Sequence, residues 1–174
     1  TQVTDAAHDF LLRLLPCGFG ILNIVLVYGV TRRLFGCVRS AQCAALLFAV
    51  APFQIYYAQE LRVYSLYVTL SLLAVGSMTG ALAENRRRYW VGYIVSLSLL
   101  LYCHYIAMWL MFTLNVAFVA LLPRYRHHFW RWTAANALIM ILIAPALYRA
   151  FAMHATVQDL DVPWYPSPTW KTGL

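Results

Sequence analysis

Five long uncharged runs, separated by short clusters of arginine, constrain this chain more than any other feature. Leu14 to Thr31, Ser40 to Gln59, Val63 to Ala83, Tyr89 to Pro123 and Trp132 to Tyr148 carry no Asp, Glu, Lys or Arg. Crossing a hydrocarbon layer of ~30 Å takes about 20 helical residues, so the runs read as membrane-spanning helices. Composition agrees. The chain is 63% hydrophobic and only 11% charged, whereas soluble domains carry roughly 25% charged residues. Soluble, disordered and disulfide-stapled classes are therefore excluded.

Tyr89 to Pro123 is 35 residues long. As one helix it would reach about 52 Å, far more than a bilayer needs. Two short helices meeting at Tyr102-Cys103-His104-Tyr105 fit better. With that break, the clusters Arg32/Arg33/Arg39, Arg86/Arg87/Arg88 and Arg124/Arg126/Arg131 all fall on one side, as the positive-inside rule requires. The expectation is an all-α polytopic membrane protein of about six transmembrane helices with both ends extracytoplasmic. The spans are near residues 12–31, 40–59, 62–83, 89–103, 104–123 and 132–151, followed by an extracytoplasmic loop over 152–174. Residues 1–174 form one transmembrane domain. The start at Thr1 and the Pro-rich close, Val162 to Trp170, read as a fragment of a larger module.

The formal charge of +7 would suggest nucleic acid in a soluble protein. Here nine arginines against Glu84 lie on the cytoplasmic side of the expected topology. Arg13, Arg62, Arg149 and Lys171 oppose Asp5, Asp9, Glu60, Asp159 and Asp161 on the other. The excess is topological anchoring, and no nucleic-acid partner is expected. Tyr89, Trp90, Tyr125, Trp130 and Trp132 read as one interfacial belt, Tyr56, Tyr57, Tyr102 and Tyr105 as the other. Cys17, Cys37, Cys43 and Cys103 lack metal-ligand or CxxC spacing, so neither disulfide nor metal is expected. The phosphate-loop, HExxH and GxSxG patterns are absent. Gly76 and Gly80 suit a close helix-packing face, and Pro52 a kink in the second helix.

Ionisable residues at membrane depth are costly and mark functional candidates. Glu60 and Arg62, between the second and third spans, stand out with Tyr56 and Tyr64. A continuous helix would place Tyr56 and Glu60, and Glu60 and Tyr64, on one face; a bent connection would let Glu60 meet Arg62. The group reads as an anion site, Arg62 on phosphate and Glu60 orienting a guanidinium or a hydroxyl-rich ligand. A solvated turn is the alternative reading. Arg13, just before the first span, would be a second phosphate ligand at the same rim. His104, at the outer break, would be either a core histidine or a donor to phosphate or a sugar hydroxyl.

Tyr56-Tyr57-Ala58-Gln59-Glu60-Leu61-Arg62-Val63-Tyr64 resembles the YSQExRxY signature of GT-C-type membrane glycosyltransferases, the protein O-mannosyltransferase and aminoarabinose-transferase relatives. In the same order, Leu12-Arg13-Leu14-Leu15-Pro16 is similar to LRLPS, Arg32-Arg33-Leu34-Phe35-Gly36 to RRLFG, Tyr102-Cys103-His104-Tyr105 to YTHY, and Trp164-Tyr165-Pro166-Ser167-Pro168 to WIPPPS. The resemblance implies an inverting transfer of a sugar from a polyprenyl-phosphate donor to a glycan, lipid or protein acceptor on the extracytoplasmic face. No cofactor beyond that donor substrate is implied. Arg62, Glu60 and Arg13, then Tyr64 and His104, are the expected lipid-phosphate and substrate contacts. The family's first-loop aspartate has no match here, Asp5 and Asp9 falling too late in its order. The catalytic group is thus expected outside this chain, and the fragment alone inactive. Rival readings are a transporter or flippase, whose sites tend to lie at the midplane, and a non-catalytic lipid-binding subunit. Twelve arginines to one lysine point to a bacterial inner membrane and an undecaprenyl carrier.

Overall fold

A computed structural model describes the backbone of residues 2–159 and the side chains of residues 12–149 and of Ala152. The described residues hold only helices: α1 (Gln2–Phe35), α2 (Val38–Ala49), α3 (Pro52–Gln59), α4 (Tyr64–Glu84), α5 (Arg87–Cys103), α6 (Ala107–Ala120), α7 (Leu122–Tyr125), a 3-10 turn (Arg126–His128) and α8 (Phe129–Asp159). Leu12–Phe35, Tyr64–Glu84 and Leu122–Arg149 are long and apolar enough to cross a membrane. The pair α2 and α3, bent by 57°, makes a fourth crossing if it acts as one span. α5 and α6, of 17 and 14 residues, fall short of the about 20 that an untilted crossing needs.

Local chemistry explains the ends. α1 stops at Gly36, whose φ of 67° lets its amide return to the Arg32 carbonyl at 2.9 Å, the left-handed terminus that glycine permits without strain. α4 stops in the same way at Asn85, φ 51°, with its amide on the Ala81 carbonyl; asparagine is the side chain that best tolerates this region. Pro52 opens α3 at a position where its missing N–H costs nothing. The long uncharged run does break at His104, which is extended at φ −161° and ψ 135°. Its imidazole Nδ1 accepts the Ile106 amide at 3.2 Å, supporting the start of α6.

Boundaries differ from the sequence reading, most of all at the two ends of the chain and over residues 124–131, which are helical where a connection between spans was expected. α1 begins at Gln2, so Arg13 lies within the helix and not just before it. α8 continues to Asp159, so residues 152–159 are helix where a loop was expected. The rest of that loop, with the Trp164–Pro168 motif, lies outside the described residues.

The packed core gathers Leu70, Ala74 and Met78 of α4, Tyr93 and Leu97 of α5, Leu114 and Phe118 of α6, and Trp132 and Ile139 of α8. Trp132 stacks on Phe118 with ring centroids 4.5 Å apart and on Tyr93 at 5.1 Å. Its Nε1–H donates to Asn115 Oδ1. Trp90 and Trp132 are therefore interior side chains, not belt residues, because Tyr93 of α5 and Phe118 of α6 cover Trp132 and His128 of the 3-10 turn packs on Trp90; Trp130 remains exposed. Leu15, Phe35, Leu47, Phe53, Trp109 and Ile141 point outward, as suits a surface solvated by lipid. Small residues let α1 approach α4: a Cβ at Gly76 would lie 3.1 Å from Val30, and one at Gly80 would meet Arg33 and Tyr89 within 3 Å. That is the close packing face expected of this pair.

Contacts sort the polar groups to two ends. Arg33 closing α1, Glu84 closing α4, Tyr89 opening α5 and Arg131 opening α8 meet at one end. The α3–α4 connection and His104 lie at the other, where Tyr67 of α4 faces His104 edge-on.

Candidate functional site

The site is a corner. α3 ends at Gln59, residues 60–63 turn, and α4 begins at Tyr64. The last carbonyls of a helix lack intrahelical partners, and Ser65 Oγ donates to one of them, Tyr57 O, at 2.9 Å. The Ser65 carbonyl accepts from Asn23 Nδ2 at 3.1 Å and from Thr69 Oγ1 at 2.9 Å, while Thr69 Oγ1 also contacts Asn23 Oδ1 at 2.8 Å. All three side chains are buried. In an apolar surrounding an unpaired amide or hydroxyl is costly, so this cluster pins the corner to α1. A second tie lies one turn up α1, where Gln54 donates to the Gly20 carbonyl at 3.3 Å. A Cβ at Gly20 would stand 2.8 Å from the Ala58 Cβ.

On this frame Tyr56 donates to Glu60 Oε1 at 3.0 Å, the i,i+4 relation expected from the sequence. The helix then stops, and Glu60, extended at ψ 138°, turns toward Arg62 with Oε2 3.9 Å from Nε. The bent connection is therefore the one formed. An ion pair this long, on an arginine side chain two-thirds exposed, contributes little stability. Its effect is orientation. The Tyr64 hydroxyl and, less strongly, the Glu60 charge hold the Arg62 guanidinium above its ordinary pKa. Tyr57 bridges the tyrosines, with ring centroids 5.3 Å from Tyr56 and 4.5 Å from Tyr64.

Arg62 also lines a cavity of about 440 Å³, whose walls are otherwise apolar: Leu12, Leu15, Pro16 and Phe19 of α1, and Leu61 and Leu66 beside the corner. One cation set in an apolar groove suits an amphiphile with an anionic head.

The sequence matches the model of the dolichyl-phosphate-mannose-protein mannosyltransferase family over residues 1–148. The chain belongs to this family. No curated protein and no solved structure matches it. As a member of the mannosyltransferase family with several membrane-capable helices, it is a glycosyltransferase-type integral membrane protein.

Within this mannosyltransferase-family chain, the structure joins Tyr56, Glu60, Arg62 and Tyr64 into one group. Arg13 is exposed on α1 next to Leu12, which lines the cavity, but it is not itself among the residues lining the cavity with Arg62. His104 stands apart from the group, reached through Tyr67, with ring centroids 6.4 Å apart, and packed on Tyr105 at 4.6 Å. His104 supports the start of α6 by accepting the Ile106 amide at Nδ1. The brace of Asn23, Ser65 and Thr69 was not singled out from the sequence. Its signal was Asn23, a carboxamide within the first uncharged run.

Proposed function

We propose that this chain is the lipid-phosphate-binding part of an enzyme that moves a sugar from a polyprenyl-phosphate donor to a glycan, lipid or protein acceptor on the extracytoplasmic face. The observation that carries this reading is the Arg62 guanidinium on an otherwise apolar cavity beside α1. The donor phosphate meets Arg62, and its prenyl chain lies along Leu12, Leu15, Phe19 and Leu66. Glu60 and Tyr64 hold the guanidinium in place.

In an inverting transfer the acceptor hydroxyl oxygen bonds to the anomeric carbon from one side as the bond to the phosphate oxygen breaks on the other. Polyprenyl phosphate leaves with added negative charge, and Arg62 stabilises it as it develops. The acceptor proton goes to an aspartate outside this chain. α5 and α6 are short crossings joined at His104, which brings the crossings to six and puts the arginine-rich end in the cytoplasm of a bacterial cell.

Arg62→Ala in the full-length protein tests the reading in membranes supplied with a polyprenyl-phosphate sugar. Transfer should fall by 100-fold or more, on the order of losing one stabilising donor, while insertion and helix content stay unchanged. Undiminished transfer would exclude Arg62 from the phosphate.

A further inference from the structure

At the opposite end from the Arg62 corner, α5 and α8 part to leave a groove of about 470 Å³. Arg87 and Arg131 line it together with Asn85 and Trp90, and Ile94 and Leu138 continue it along the two helices. Arg131 is fixed: its guanidinium donates to Asn85 Oδ1, which also accepts Trp90 Nε1–H at 3.3 Å. That partner is neutral. Glu84, the nearby carboxylate, is taken up by Arg33, Arg86 and Arg88 at 3.2 to 3.6 Å. Among the described residues, neither Arg87 nor Arg131 has a carboxylate in ion-pair range. Two uncompensated guanidinium groups thus line a groove whose remaining walls are largely apolar and run along membrane-facing helices.

We propose that this groove binds an anionic phospholipid, with its phosphate at Arg87 and Arg131 and an acyl chain along Ile94 and Leu138. Charge complementarity selects the headgroup, since basic pockets between membrane helices favour anionic lipid. The slot shares no lining residue with the Arg62 cavity. Its occupant lies between α5 and α8, beside the stacked pair Tyr93 and Trp132 that joins the two helices.

Native mass spectrometry of the full chain, delipidated and exposed to phosphatidylglycerol or phosphatidylcholine with matched acyl chains, tests the site. The wild type should retain phosphatidylglycerol in preference. Arg87→Ala with Arg131→Ala should weaken that retention on the order of 30-fold, the effect of about two basic contacts. Arg39→Ala with Arg126→Ala, equal in lost charge and outside the groove, should leave it unchanged. Leu138→Trp keeps both charges but fills the slot, and should also expel the lipid. Equal retention of the two lipids, equal loss in the Arg39/Arg126 control, or full retention in Leu138→Trp would each overturn the proposal. So would complete displacement by millimolar inorganic phosphate, which would mark a headgroup-only site.

Discussion

The Ser65 hydroxyl donates to the Tyr57 carbonyl at 2.9 Å, closing the corner between α3 and α4 from the inside. Everything proposed for Arg62 depends on that corner, whose last connecting residue is also held from α4 by the Tyr67 amide on the Val63 carbonyl at 2.8 Å. Ser65→Ala should cost about 1 kcal/mol, the net worth of one hydrogen bond. Asn23→Leu should cost a similar amount, since hydrogen bonds between membrane helices average somewhat below this. The two changes act on one residue, at the Ser65 hydroxyl and at the Ser65 carbonyl, so the double variant should lose less than the sum. Thermal melting in detergent reads the cycle, and strict additivity would show that the two side chains do not act through one another.

Gly20 sits where α1 and α3 touch, with only 2.8 Å between an added Cβ and Ala58. Gly20→Val should push α3 away and break the Gln54 contact. Sugar transfer by the full-length protein should fall at least tenfold with Arg62 intact, while Gly18→Val, with nothing within 4 Å, should be neutral. Equal activities would mean that α3 is not held by this approach.

Trp132 and Trp130 sit two residues apart yet should respond very differently. Trp132 is sandwiched by Tyr93 and Phe118, whereas Trp130 is 79% exposed. In lipid the water-transfer part of a core truncation is missing, so Trp132→Ala should cost about 3 kcal/mol, the lower end of the soluble range. Trp130→Ala should stay within about 0.5 kcal/mol. Melting temperatures of the two variants check the difference.

Arg62 should contribute no limb to the pH profile of transfer. Its folded-state pKa is raised by the Tyr64 hydroxyl and the Glu60 charge, so the cation persists as pH rises and is lost only beyond any working range. Arg62→Lys carries a group that deprotonates near pH 10. That variant should acquire an alkaline fall in kcat/KM that the wild type lacks, on top of a lower plateau from losing the bidentate fork. A profile of unchanged shape would argue that the charge at position 62 does not act in the reaction.

For topology, the native cysteines are first replaced and single cysteines introduced at positions 60 and 87. An impermeant thiol reagent should reach position 60 from the extracytoplasmic side and position 87 only after the membrane is opened. The reverse pattern would invert the proposed orientation.

The sequence made the outline legible because charge is scarce. Arginine clusters marked the ends of α1, α4 and α8, the length of one uncharged run required a break, and that break falls at His104. Pro52 likewise marked the bend between α2 and α3. Local spacing also placed Tyr56 on Glu60. What stayed hidden depends on pairings across dozens of residues. Asn23 meets Ser65 over 42 positions, and neither residue type announces its partner. Trp90 and Trp132 flank arginines just as belt residues do, and only the side chains packed over them show that they are interior. The length of α8 was masked too, since Arg149 closes its uncharged run ten residues before the helix ends.

Arg33 and Glu84, joined at 3.2 Å, are 51 residues apart, and that separation has a consequence for biogenesis. When α1 leaves the ribosome and is oriented in the translocation machinery, its terminal arginines carry their full charge, because their acidic partner has not yet been made. Orientation is read from bare cations. Only after α4 has been laid beside α1 does Glu84 arrive to neutralise Arg33 and draw in Tyr89. The pair therefore acts as a latch set after the direction has been chosen. A substitution at Glu84 should leave the direction of insertion intact and loosen only the finished bundle.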